Sequence, residues 1–148
     1  MSPSFTFELI TPDGLKYEQE IYQLVIPTVS GIIGVLHGHE QLLTVVKPGV
    51  LSIYPHADLF SNTVEHMAVL GGFADISGKR VRILADSAEY AHEIDELKAQ
   101  EALENAQQMQ NEAKDQVSMS EAIGVIEREA VRLKVAGLKR TRRGRALS

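Results

Sequence analysis

The chain has 148 residues and 44% hydrophobic content, enough for one small core, and it has no cysteine, which excludes disulfides, thiolate catalysis and Cys-ligated metals. Its formal charge of −5 is unevenly spread: residues 1–131 carry all 20 acidic groups against eight basic ones, whereas residues 132–148 carry seven basic groups and no acid. No apolar run approaches the roughly 18–20 residues that span a bilayer, and the opening MSPSFTFELITPDG lacks a basic n-region or an apolar signal core, so a soluble, non-exported chain is expected.

In chain order, Phe5, Phe7 and Leu9 alternate with polar residues and end at Thr11-Pro12-Asp13-Gly14, a strand followed by a turn. Further strands are expected at 21–26, 41–46, 49–54, 64–70, 73–77 and 80–84, separated by Lys47-Pro48-Gly49, Gly71-Gly72 and Ser77-Gly78-Lys79. Short strands on this beat, without intervening helices, predict an antiparallel sandwich or flattened barrel. Between the second and third lies VSGIIGVLHGH, where Gly31, Gly34 and Gly38 suggest a tight exposed loop. No Gly-Lys-Ser/Thr follows, so it is not a phosphate loop. His37 and His39 lack a nearby carboxylate pair and make a poor metal site, so no metal is expected.

The pattern changes near Asp86. All five prolines and eight of the eleven glycines precede it, and the 62 residues that follow alternate Ala, Leu, Glu, Gln and Lys at helical spacing. The expected organisation is α+β in sequence order: an N-terminal β-sandwich over 1–86, an antiparallel helical hairpin over 87–138, and a basic tail over 139–148. Asp95 is positioned to cap a first helix running to about Lys114, with Ala99, Ala102, Leu103, Ala106, Met109 and Ala113 on one face. Ser118-Met119-Ser120-Glu121 has the form of a capping box for a second helix, whose Ile123, Ile126, Ala130, Leu133 and Gly137 step toward the first. Val131, Val135 and Leu138 form a further apolar stripe.

GIIGVLHGHEQLLTVVKPGVLSI, GGFADISGKRVRILADSAE, EIDELKA and REAVRLKVA together resemble the epsilon subunit of bacterial F-type rotary ATP synthase, called delta in mitochondria, in matching order from Phe7 to about Leu138. The resemblance implies a non-catalytic central-stalk subunit at the cytoplasmic face of the bacterial membrane. Its sandwich would touch the gamma subunit and the c-ring, and its hairpin would fold down or extend toward the alpha and beta subunits to restrain hydrolysis. Gly31, Ile32, Gly34, Gly38 and His39 match the family's rotor-facing loop, with Ile32 where an acidic residue is common and Glu40-Gln41 in place of Ala-Pro.

Some family members bind ATP, and the matching positions are Ile94, Asp95, Lys98 and Ala99 with Glu89, Arg128 and Arg132. The two arginines stand at i, i+4 and can face one phosphate chain. Lys98 replaces an arginine, and an ammonium does not reproduce a planar bidentate fork, so no cofactor is required and any regulatory ATP is expected to bind weakly. Against the ATP reading, Asp95 also serves as a simple helix cap and Arg128 as an intrahelical partner of Glu121, Glu127 or Glu129. The inhibitory basic face implied by the resemblance is Arg128, Arg132, Lys134, Lys139, Arg140, Arg142 and Arg143.

Two other classes compete. A nucleic-acid adaptor would use the run from Lys139 to Arg145, but all aromatic residues precede residue 91, leaving no interleaved stacking groups. A sugar-binding sandwich would have few stacking platforms, with no Trp and four Tyr. Neither accounts for a match along nearly the whole chain.

Overall fold

The computed structural model describes residues 3–58 and 63–147, with the backbone alone over 139–147. The chain divides into two compact units, Met1–Ala88 and Glu89–Ser148. The first unit holds β1 (Phe5–Thr11), β2 (Gly14–Ile21), β3 (Gln23–Thr28), β4 (Gly31–Leu36), β5 (Leu42–Val46), β6 (Gly49–Tyr54), β7 (Glu65–Val69), β8 (Gly72–Ile76) and β9 (Arg80–Ala85). The short β10 (Ala88–Tyr90) carries the chain across the division.

Alternation builds the core. In β9, Val81, Ile83 and Ala85 are buried while Arg80, Arg82 and Leu84 are exposed, and Phe5, Phe7 and Leu9 of β1 are buried as expected. Strands β5, β8, β9, β1 and β2 pair in that order as one layer, and β7, β6, β3 and β4 form the other. The layers join at β3, which pairs with β6 through Gln23–Val25 and with β5 at Thr28. The change of partner falls at Ile26 and Pro27, and Pro27 has no N–H to donate to a ladder.

One pairing departs from the antiparallel expectation. β1 runs parallel to β9, with Thr6 opposite Arg80 and Leu84 opposite Ile10. No crossover helix is needed, because the intervening strands themselves carry the chain back. Three strands were also missed: β2, β4 and the short β10, which lies where the helical half was expected to begin. GLKYEQEI has too little apolar alternation to read as β2, yet it is ordered by pairing along β1, with a register shift beside Leu9. The expected glycine loop is largely β4, ordered by full pairing with β3 from Gln23↔Leu36 to Thr28↔Gly31. Gly31 closes the turn between them at φ 115°, where an L side chain is disfavoured.

The second unit contains a 3-10 turn (Ala91–Glu93), α1 (Glu96–Glu112) and α2 (Gln116–Leu147). Asp95 caps α1 as expected, its side chain accepting from the Lys98 N–H at 3.1 Å. Ala99 and Ala106 are buried on the expected face, whereas Met109 is half exposed. For α2 the expected capping box is not the start. Asp115 Oδ1 accepts from the Ser118 N–H at 2.7 Å, so the helix opens earlier, after a short connection. A carboxylate at the positive end of the helix is favoured over a serine hydroxyl further in. The buried side of α2 is also shifted. Ala122, Val135 and Ala136 are buried while Ile123 and Ala130 are exposed, so it includes a residue of the further stripe.

Asp115 sits in this structure with its pKa lowered, chiefly by the hydrogen bonds from Ser118. A folded pKa below the unfolded one means that the cap's stabilisation is complete above the unfolded carboxylate range and is lost as pH falls through the folded value. Circular dichroism of the intact chain in acid should therefore show helix loss that Asp115→Asn blunts, since asparagine caps equally well and does not titrate. Identical acid profiles for the two chains would remove Asp115 as a contributor.

Candidate functional site

The residues expected to form one rotor loop are separated by β4. Gly31 lies at its start and Gly38 and His39 beyond its end, about 20 Å apart along an extended strand. The turn after β4 is held to the β8–β9 turn, with the Gly38 N–H donating to the Gly78 carbonyl at 2.8 Å, and His39 Nδ1 lies 2.6 Å from the Glu40 carbonyl. At the other end, Ile32 is 74% exposed beside exposed Val29. Gly34 is mid-strand, where an added Cβ would meet only the flexible end of Gln23 at 3.4 Å.

A more extended apolar feature crosses the outer face of the first layer. Val45 pairs with Phe73, Phe73 with Leu84, Leu84 with Ile10, and Ile10 with Leu15. Direct cross-strand partners share a face, so these residues line up across β5, β8, β9, β1 and β2, about 19 Å at the usual strand spacing. Phe73 is 56% and Leu84 51% exposed, with Val45 and Leu15 exposed too and Ile10 partly so. Beside the row, Glu8 is nearly buried and paired with two arginines, Arg80 Nη2 at 3.3 Å and Arg82 Nε at 3.0 Å. A rigid sheet thus presents an apolar stripe with a polar margin. Sequence reasoning missed it, although Leu84 on the same strand face as Arg80 and Arg82 was a signal.

Five of the seven residues matched to a nucleotide site are buried or paired here. Asp95 caps α1, Ile94 and Ala99 are buried, and Lys98 is exposed. Arg132 does not stand open beside Arg128. Its Nη2 donates to Glu89 Oε2 at 3.1 Å, and its Nη1 donates to Glu129 Oε2 at 2.9 Å and Oε1 at 3.2 Å. Its Nε lies 2.8 Å from Glu89 Oε1, an ion-pair approach whose angle falls outside a directed hydrogen bond. Burial alone would lower the Arg132 pKa, but the hydrogen bonds and charges of Glu89 and Glu129 outweigh it and raise the pKa. Arg128 is exposed and joins none of these pairs. Of the expected basic face, Lys134 is exposed, while the side chains of Lys139, Arg140, Arg142 and Arg143 lie outside the described residues.

Among the described residues no cluster of three or more His, Asp or Glu is placed to hold a metal ion, and no helix is long and apolar enough to cross a membrane. The chain thus joins a β-sandwich that carries an exposed apolar stripe to a two-helix hairpin. Residues 4–91 match the family described as ATP synthase, Delta/Epsilon chain, beta-sandwich domain. The chain is 36% identical to the ATP synthase epsilon chain of Herpetosiphon aurantiacus, over 91% of this chain and 96% of that one. It is 31% identical to that of Synechocystis, over 90% and 97%. The chain belongs to the ATP synthase delta/epsilon family. Its fold is also similar to a chain of the Euglena gracilis mitochondrial ATP synthase OSCP/F1/c-ring structure, with TM-score 0.77 at 24% identity, covering 91% of this chain and 81% of that chain.

Proposed function

We propose that this chain is a non-catalytic coupling subunit in the central stalk of a rotary ATP synthase, docked by its sandwich on the gamma subunit and c-ring, with the hairpin restraining ATP hydrolysis through the alpha and beta subunits. The observation that carries the docking is the row Val45, Phe73, Leu84, Ile10 and Leu15. An aligned apolar row on rigid strands marks a surface that a partner covers, and torque requires a stiff contact rather than a loop. The exposed Val29 and Ile32 at the β3–β4 turn offer a second apolar contact, suited to the ring. Such a subunit is held at the cytoplasmic face of the membrane through its complex. A regulatory ATP at the Asp95–Lys98 segment would have to displace Glu89 from Arg132 in order to use that arginine, which makes weak binding the expectation.

Phe73→Glu should test the docking. Placing a carboxylate in the centre of an apolar interface should reduce capture by a tagged gamma subunit about 30-fold, the scale of a hot-spot residue. Because Phe73 is exposed, the isolated chain should keep its unfolding midpoint. Undiminished capture would place the gamma contact on another face.

A further inference from the structure

The three-residue cluster on α2 distinguishes two carboxylates by where they sit in the chain. Glu129 stands one turn before Arg132 on the same helix, so that pair travels with α2 wherever the helix goes. Glu89 lies 43 residues upstream, in the strand that leads into the hairpin, and engages Arg132 with both oxygens. The side chains are only 22%, 22% and 14% exposed for Arg132, Glu89 and Glu129, so water screens the contacts less than at an open surface.

We propose that Glu89 and Arg132 form a clasp that fastens the second helix to the segment entering the hairpin, with Glu129 holding the guanidinium in position. Glu129 takes Nη1 with both its oxygens and leaves Nη2 to donate to Glu89, with Nε at ion-pair distance from the same carboxylate. Arginine suits this role because its planar fork can serve two carboxylates at once, which a lysine ammonium cannot do in the same geometry. Moving α2 away from Glu89 breaks only the long-range pair. The clasp also occupies the arginine edge that a phosphate chain would need, so the helix is fastened by a carboxylate of the chain itself and requires no nucleotide. This arrangement is a property of the second unit alone and does not rest on the central-stalk reading.

Hydrogen exchange of the isolated full-length chain tests it. Glu89→Gln should accelerate exchange of α2 amides between residues 122 and 136 on the order of tenfold, the scale of a lost charge-assisted hydrogen bond. Arg132→Gln should act similarly, and the double variant should add little to the larger single effect. Glu129→Gln should have a smaller effect, since its pair persists whether α2 is fastened or free. Sandwich amides supply the internal control for folding. Unchanged α2 exchange in Glu89→Gln overturns the clasp, as do additive effects in the double variant. If Arg132→Gln unfolds α2 altogether, the comparison of Glu89→Gln with Glu129→Gln decides, and equal effects count against it.

Discussion

Gly72→Ala is expected to cost on the order of 3–5 kcal/mol, combining backbone strain with overpacking. Gly72 has φ 135°, and a Cβ built there would stand 2.1 Å from the Leu84 carbonyl oxygen and 2.8 Å from Ala85 Cα. Both obstacles are backbone of β9, so no side-chain rotation relieves the clash, and moving β9 would disturb its parallel pairing with β1 as well. A unit of this size has about 4–13 kcal/mol of stability in total, so the variant should lose a large share of it. Chemical denaturation should show the midpoint falling sharply with the slope unchanged. Gly34→Ala is the contrast. Its added methyl meets only Gln23 Nε2 at 3.4 Å at an ordinary strand φ, and should be neutral or slightly stabilising. Equal losses in the two variants would refute the packing account.

These two glycines also show what sequence could and could not reveal. Gly71-Gly72 was legible as a break between strands, but the close approach of β9 that makes Gly72 irreplaceable is a long-range contact with no local signal. Gly31, Gly34 and Gly38 looked like one loop because GIIGV lacks alternation, and only pairing with β3 makes residues 31–36 a strand. Helix α1 was legible in detail, since a cap and a periodic alanine face are local properties. The α2 seam was displaced because its apolar residues occupy more than one face, so periodicity left the packed side undetermined. The docking row escaped entirely. It exists through four cross-strand pairings, one of them the parallel match of Ile10 to Leu84, and sequence order gives no register between such distant residues. For Arg132, spacing suggested a phosphate partner, while the carboxylate that engages it from 43 positions upstream became visible only in three dimensions.

Deleting residues 117–148 should raise ATP hydrolysis by the assembled enzyme several-fold while leaving assembly intact. The docking row belongs wholly to the first unit, so loss of α2 removes none of its residues. What the deletion removes is the long basic helix. α2 has 32 residues against 17 in α1, about 48 Å against about 25 Å, so it reaches well beyond its partner. All seven basic residues of its last part lie between Arg132 and Arg145 without an intervening acid. Within a protein cleft such cations escape most salt screening and favour carboxylate-lined surfaces, as an inhibitory contact with catalytic subunits requires. Alanine at Arg140, Arg142, Arg143 and Arg145 should reproduce part of the effect, and the difference from the parent should narrow as salt is raised. The clasp makes an opposite expectation for Glu89→Gln: a less firmly fastened helix should extend more readily and deepen inhibition. Steady-state hydrolysis of the parent, truncated and Glu89→Gln complexes separates the outcomes. Equal rates in parent and truncated complexes, measured where the parent is demonstrably inhibited, would put the restraint outside the second helix. A response of Glu89→Gln in hydrogen exchange without one in hydrolysis would leave the clasp standing and remove its regulatory role.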